Sequence, residues 1–250
     1  MELNVVSFNI RCANDRDGNS IAERAPRLKK VLADCNADII GLQEMVPEWE
    51  TYITQYYEEE YEIFNKYRAT QELEAAPILW KKDVFQCVRK GYFWLSDTPE
   101  KESKGWDELC DCYRICMWVI LEHKASGKRI CYMNTHFGFG DKGQVQSVEL
   151  IRKYQQEYSE YPAFITGDFN MYTSSPAYKK MTEYFTDVNM ATARDIRPTY
   201  HGYNQGGEGL IDFCFADAAI RPVSYKRIDD LVDGKFPSDH YGILVVLDVE

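Results

Sequence analysis

Strand-length apolar runs recur from one end of this chain to the other, and they leave it little choice of architecture. They occupy residues 2–9, 38–43, 61–65, 76–80, 85–94, 115–122, 129–135, 163–166, 210–216, 221–228 and 242–249, and are rich in Val, Ile, Phe, Tyr and Cys. Helical patterns at 22–35, 47–57, 142–158 and 176–184 interrupt them. In the first of these, Ala25, Leu28, Val31, Leu32 and Cys35 share one face; in the third, Val145, Val148, Ile151 and Tyr154 recur at every third residue. Pro47 suits a first helical turn, and Ser174-Ser175 stands where the last helix needs an N-cap. The stretches 101–111 and 203–208 read as loops. Strands outnumber helices, and no linker or repeat divides the chain. The expectation is a single α/β domain over residues 1–250, with two packed sheets and helices on their outer faces.

Charge narrows the choice of partner. The net charge is -11 with no basic stripe, and such a surface repels a long polyanion. Small phosphate esters stay open, because a bound cation offsets negative side chains locally. No run approaches the ~18–20 apolar residues of a membrane helix, and the first residues show no signal-peptide pattern. Of the eight cysteines, Cys35, Cys87, Cys131 and Cys214 lie in or beside apolar runs and read as buried thiols. Cys110, Cys112 and Cys116 cluster without a Cys-x-x-Cys pair or a nearby His, which argues against zinc. Unpaired thiols fit a reducing, cytoplasmic setting.

The chemistry is carried by polar residues at the ends of the apolar runs. Asn9 follows Val5–Phe8, Glu44 follows 39–43, and Asn134-Thr135-His136 follows 131–133. Asp168-Phe169-Asn170 follows 164–167, Asp212 sits inside an apolar run, and Asp239-His240 precede the last one. Each has an ordinary reading alone: an Asx turn for Asp168 and Asn170, a helix start for Glu44, a satisfied core histidine for His136. Asp212 resists that treatment, because an unpaired carboxylate in an apolar strand is expensive. As a set, carboxylates and Asn carbonyls suit a hard cation such as Mg²⁺.

The ordered series Ser-Phe-Asn-Ile-Arg (7–11), Ile-Gly-Leu-Gln-Glu (40–44), Asn-Thr-His (134–136), Gly-Asp-Phe-Asn (167–170), Ile-Asp-Phe (211–213) and Ser-Asp-His (238–240) resembles the endonuclease/exonuclease/phosphatase superfamily, and within it a compact bacterial branch. That resemblance implies a four-layer α/β/β/α sandwich of two mixed sheets flanked by helices. It also implies site roles. Glu44 would bind the catalytic Mg²⁺ (Mn²⁺ being the alternative), with Asn9 close by and Asp239 completing the shell. Asp168 would orient or deprotonate the attacking water, helped by Asn170. His240 would face the phosphate, fixed by Asp212. Asn134 would hold a phosphate oxygen, Glu74 would partner His136, and Arg114 would clamp the phosphate. Arg11 departs from the family pattern, standing where several nucleases carry an acidic ligand, which weakens the case for a second metal.

The function these readings imply is metal-assisted hydrolysis of a phosphodiester or phosphomonoester by in-line attack of water. A nuclease acting on DNA or RNA is the alternative, and a non-catalytic binding module on the same scaffold is a weaker one, since none of the key residues is lost. No protein partner can be inferred. Trp94, Trp106 and Trp118 are candidates for a cleft wall, although aromatics more often fill cores. His201 reads as a surface loop residue, and His123 sits in a hairpin turn without a role.

Overall fold

The structure, a computed structural model, describes residues 1–204 and 209–250; part of the expected loop at 203–208 lies outside them. Twelve strands form two six-stranded sheets. The first contains β1 (Glu2–Asn9), β2 (Ile39–Gln43), β3 (Tyr61–Phe64), β4 (Ile78–Lys81), β11 (Ile220–Ile228) and β12 (Gly242–Val249), in the order β11-β12-β1-β2-β4-β3. The second contains β5 (Phe85–Trp94), β6 (Ile115–His123), β7 (Arg129–His136), β8 (Ala163–Asp168), β9 (Thr186–Asp187) and β10 (Asp212–Ala216), in the order β5-β6-β7-β8-β10-β9. Each sheet is mixed. The parallel pairs are β1 with β2 and β7 with β8. A parallel pair needs a long crossover, supplied here by α1 (Ile21–Ala33) and α3 (Asp141–Gln156).

Three apolar layers show how the sheets and helices stack. Leu3, Val5, Ile39, Tyr132, Phe164, Cys214 and Val245 pack between the sheets. Val6, Phe8, Ile40 and Leu42 pack outward against Ala25, Leu28 and Val31 of α1 and Trp49 and Ile53 of α2 (Pro47–Tyr57). Cys131, Met133, Ile165, Phe213 and Phe215 pack outward against Val148 and Ile151 of α3 and Ala177 and Met181 of α4 (Pro176–Tyr184). Strands buried on both faces read as near-continuous apolar runs, which is why they stand out in the sequence. The result is the four-layer sandwich.

Differences from expectation are local and physical. The β9 strand has two residues and α5 (Val188–Ala191) has four, too short for any periodicity to register. The fourth strand starts at Ile78 rather than residue 76; Pro77 has no N–H to give a ladder, and its carbonyl accepts from Leu42 N–H. Ser175 does occupy the N-cap of α4, but its hydroxyl accepts from Tyr172 N–H and makes no cap bond. Trp94 is a core residue between the sheets and Trp118 one of the outer layer beside α3, against which Trp106 packs. His201 is 3% exposed, packed against Phe236 and Tyr241, and is not a surface residue. All eight cysteines are free; Cys116 is buried in β6, and Cys87 is only half-buried. Among the described residues no helix is long and apolar enough to cross a membrane.

Candidate functional site

Strand parity builds the site. In β1, Leu3 and Val5 face the opposite sheet, so Ser7 and Asn9 do too. The same alternation carries Ile39 to Gly41 and Gln43, Tyr132 to Asn134 and His136, and Phe164 to Thr166 and Asp168. The layer between the sheets is therefore apolar at depth and polar toward one end. Register aligns the ends: Asn9 pairs with Gln43, His136 with Asp168, and Asp168 with Asp212. Glu44 lies one residue past β2, where a left-handed backbone (φ 63°) turns it to the mouth. Asn170 (φ 47°) and Arg11 (φ 63°) share that conformation, which costs a non-glycine residue about 1–3 kcal/mol and clusters at functional sites.

Asn9 joins the two sheets. Its Nδ2 donates to Glu44 Oε1 at 3.0 Å and to Asp168 Oδ2 at 2.9 Å. Its side-chain carbonyl oxygen accepts from Arg11 N–H at 3.0 Å, so both ends of the amide are engaged within the protein. Asp168 is held from several sides. Oδ1 accepts from Asn170 N–H at 3.0 Å, and Oδ2 lies 3.5 Å from His136 Nε2 and 3.8 Å from His240 Nε2. His240 Nδ1 meets Asp212 Oδ2 at 2.9 Å. Burial alone would lower the His240 imidazole, but the charge and hydrogen bond of Asp212, then Asp168 and Asp239, push it up to about 10. Burial pushes the Asp212 carboxyl up against the pull of His240.

Glu44, Asp168, Asn170, Asp239 and His240 line one cavity of about 430 Å³ together with Glu74, Arg114 and His136. On one wall, Glu74 Oε1 lies 3.6 Å from His136 Nδ1 and 3.9 Å from Arg114 Nη1, and it also contacts Arg68. Arg114 also reaches Asp107 at 3.4 Å, yet its buried Nη1 has no hydrogen-bond partner among the described residues. A buried N–H of this kind calls for an acceptor.

Asn134 is a correction. Expected to hold a phosphate oxygen, it is fully buried and does not line the cavity. Its Nδ2 donates to the carbonyls of Leu42, Ala76 and Pro77, and its Oδ1 accepts from Gln43 Nε2 at 2.8 Å. The residue lies two positions before His136 on the same face, about 6–7 Å deeper along the strand. There it ties the sheets together where they pack tightly: a Cβ at Gly41 would stand 2.1 Å from the Tyr132 hydroxyl. Arg68 and Tyr172, which the sequence did not flag, also lie on the cavity wall, as does Tyr200 at the expected edge of the site. Arg68 sits in a polar loop with no pattern to mark it.

The donor set fits a hard divalent cation. Burial pushes the Asp239 carboxyl up, His240 lowers it, and the like charge of Glu44 raises it again, a crowding that a cation relieves. Burial also works against ionised Glu44, but the His136 charge and the Cys12 N–H bond outweigh it and hold this carboxyl below the ordinary range. Arg11 Nε stands 3.5 Å from Asp239 Oδ2 and supplies positive charge on that side.

Stacked mixed sheets opening on a shared acidic and histidine-bearing mouth define a sandwich built for phosphate-ester chemistry. The chain belongs to the endonuclease/exonuclease/phosphatase family, whose model matches residues 6–240. It is similar to a family member from Bacteroides vulgatus of known structure (29% identity, TM-score 0.91, all of both chains covered). It is also similar to a mannosyl-6-phosphatase from Bacteroides thetaiotaomicron (27% identity, TM-score 0.86, covering 98% of this chain and 99% of that one). A probable Ccr4 exoribonuclease subunit from Encephalitozoon cuniculi is 22% identical over 82% of this chain; the chain spans about half the length of that relative, 52%.

Proposed function

We propose that this protein is a metal-dependent phosphoesterase acting on a small phosphomonoester or phosphodiester. The observation that carries the reading is the Asn9 bridge, which joins Glu44 of one sheet to Asp168 of the other at the mouth they share. Glu44 and Asp239 would hold Mg²⁺ or Mn²⁺, which when bound offsets the charge on the phosphoryl oxygens. The chain's own groups do the rest. Asp168, oriented by Asn9 and the Asn170 N–H, positions the attacking water and accepts its proton. Cationic His240, fixed by Asp212, donates to a phosphoryl oxygen as charge builds there. Arg114 Nη1 and His136 bind the phosphate from the opposite wall. The water oxygen bonds to phosphorus as the P–O ester bond breaks, and the ester oxygen departs with the electron pair and takes a proton from solvent water, while Asp168 later returns its proton to solvent.

The acidic surface and the similarity to a mannosyl-6-phosphatase support a small substrate. The similarity to an exoribonuclease subunit favours a nuclease as the second reading. The free cysteines support a reducing, cytoplasmic setting. The test is a hydrolysis panel of aryl phosphate monoester, aryl diester and oligonucleotide, with Mg²⁺, with Mn²⁺ and with chelator, for wild type and Asp168→Ala. Turnover that survives both chelation and the substitution removes this mechanism.

A further inference from the structure

A second cavity of about 350 Å³ adjoins the first, and Arg11, Tyr200 and Asp239 line both. Its remaining wall comes from the turn at residues 15–19 and from Gly202 and Tyr203. That turn is closed by Asp15 N–H to Asn19 O at 3.3 Å and is fastened from beneath by two arginines of α1. Fully buried Arg24 donates to the carbonyls of Ile10, Arg11, Ala13 and Asn19, and Arg27 donates to those of Gly18 and Phe236. A wall held this way is formed before any ligand arrives, which lowers the ordering cost of binding.

The lining selects a chemistry. Among the described residues no aliphatic side chain lines it; Asp15, Arg16, Asp17, Asn19 and Tyr203 all carry hydrogen-bonding groups. An apolar group would strip water from them without replacing it. A second phosphate would meet three carboxylates, Asp15, Asp17 and Asp239, while Arg11 already donates to Asp15 at 3.1 and 3.2 Å. A neutral group with several hydroxyls satisfies both signs, donating to carboxylates and accepting from guanidinium and amide. The Tyr203 hydroxyl is buried and has no partner among the described residues.

Resting on the phosphoesterase reading of the first cavity, we propose that the second cavity binds the hydroxyl-bearing part of the substrate, a sugar or related polyol, whose phosphate passes Arg11 and Tyr200 into the first.

The experiment measures kcat/KM for a hexose 6-phosphate and for an aryl phosphate whose leaving group has no such hydroxyls, using the full chain with Mg²⁺. Wild type is compared with Tyr203→Phe and Arg16→Ala. Each loses hydrogen-bonding groups that only the sugar meets, so the hexose-to-aryl ratio of kcat/KM should fall about three- to tenfold in each. Arg16 is exposed, so its variant carries the test if Tyr203→Phe folds poorly. A ratio unchanged in both variants overturns the sugar subsite while leaving the phosphoesterase reading intact. Failure of wild type to hydrolyse either ester overturns both.

Discussion

Asn9 Nδ2 donates to Asp168 Oδ2 at 2.9 Å across the seam between the two sheets. The same nitrogen holds Glu44 at 3.0 Å, so one neutral amide keeps two carboxylates apart and aimed at one space. Asn9→Asp would replace that donor with a third buried negative charge. A loss of about 3 kcal/mol of stability is expected, partly recovered when Mg²⁺ is added. Denaturant unfolding with and without the cation checks this; a variant as stable as wild type in chelator would show that the bridge carries little.

The His240–Asp212 pair makes a prediction with a definite sign. An imidazole pushed up to about 10 is cationic through neutral pH, so a rate that depends on its charge persists there and is lost as pH climbs toward 10. Asp212→Asn removes the carboxylate that holds this pKa up. Its alkaline limb in kcat/KM should move to lower pH, with a fall in rate of about 10²-fold or more. An unmoved limb would detach Asp212 from the histidine's chemistry.

For Asn134 the account predicts a structural phenotype. Asn134→Leu leaves Gln43 without its 2.8 Å acceptor and deprives the carbonyls of Leu42, Ala76 and Pro77 of their shared donor. A destabilisation of about 3 kcal/mol or more follows, visible as a lowered Tm. A variant with wild-type Tm and a raised KM would restore the phosphate-binding role assigned to it by resemblance.

On the facing wall, Arg114→Lys keeps the charge but removes the planar fork. With Arg114 on the cavity wall and its Nη1 without a partner among the described residues, KM for the phosphate ester should rise about tenfold while Tm changes little. Equal losses of kcat and unchanged KM would place the guanidinium's effect in the transition state alone.

Much of this was legible in the sequence because the sandwich is double-sided. Strands buried on both faces show as unbroken apolar runs, and Asn9, Glu44, His136 and Asp168 stand where such runs end. Depth along a strand was not legible: Asn134 and His136 belong to one short motif, yet one lies in the seam and the other at the mouth. Nor was Arg68, whose loop carries no periodic pattern and whose partner Glu74 lies six residues on. The burial of His201 depends on Phe236 and Tyr241, distant in the chain, so no local signal announces it.

Cation dependence of Glu44→Gln hydrolysing an aryl phosphate is the sharpest check on the whole picture. If Glu44 and Asp239 hold a single divalent ion beside Asp168, wild type is silent in chelator, and the variant, still folded, needs at least about tenfold more Mg²⁺ for half-maximal rate. Identical Mg²⁺ curves for the two proteins, or full turnover with every divalent ion removed, would mean that the mouth between the sheets does not work as a metal-assisted catalyst.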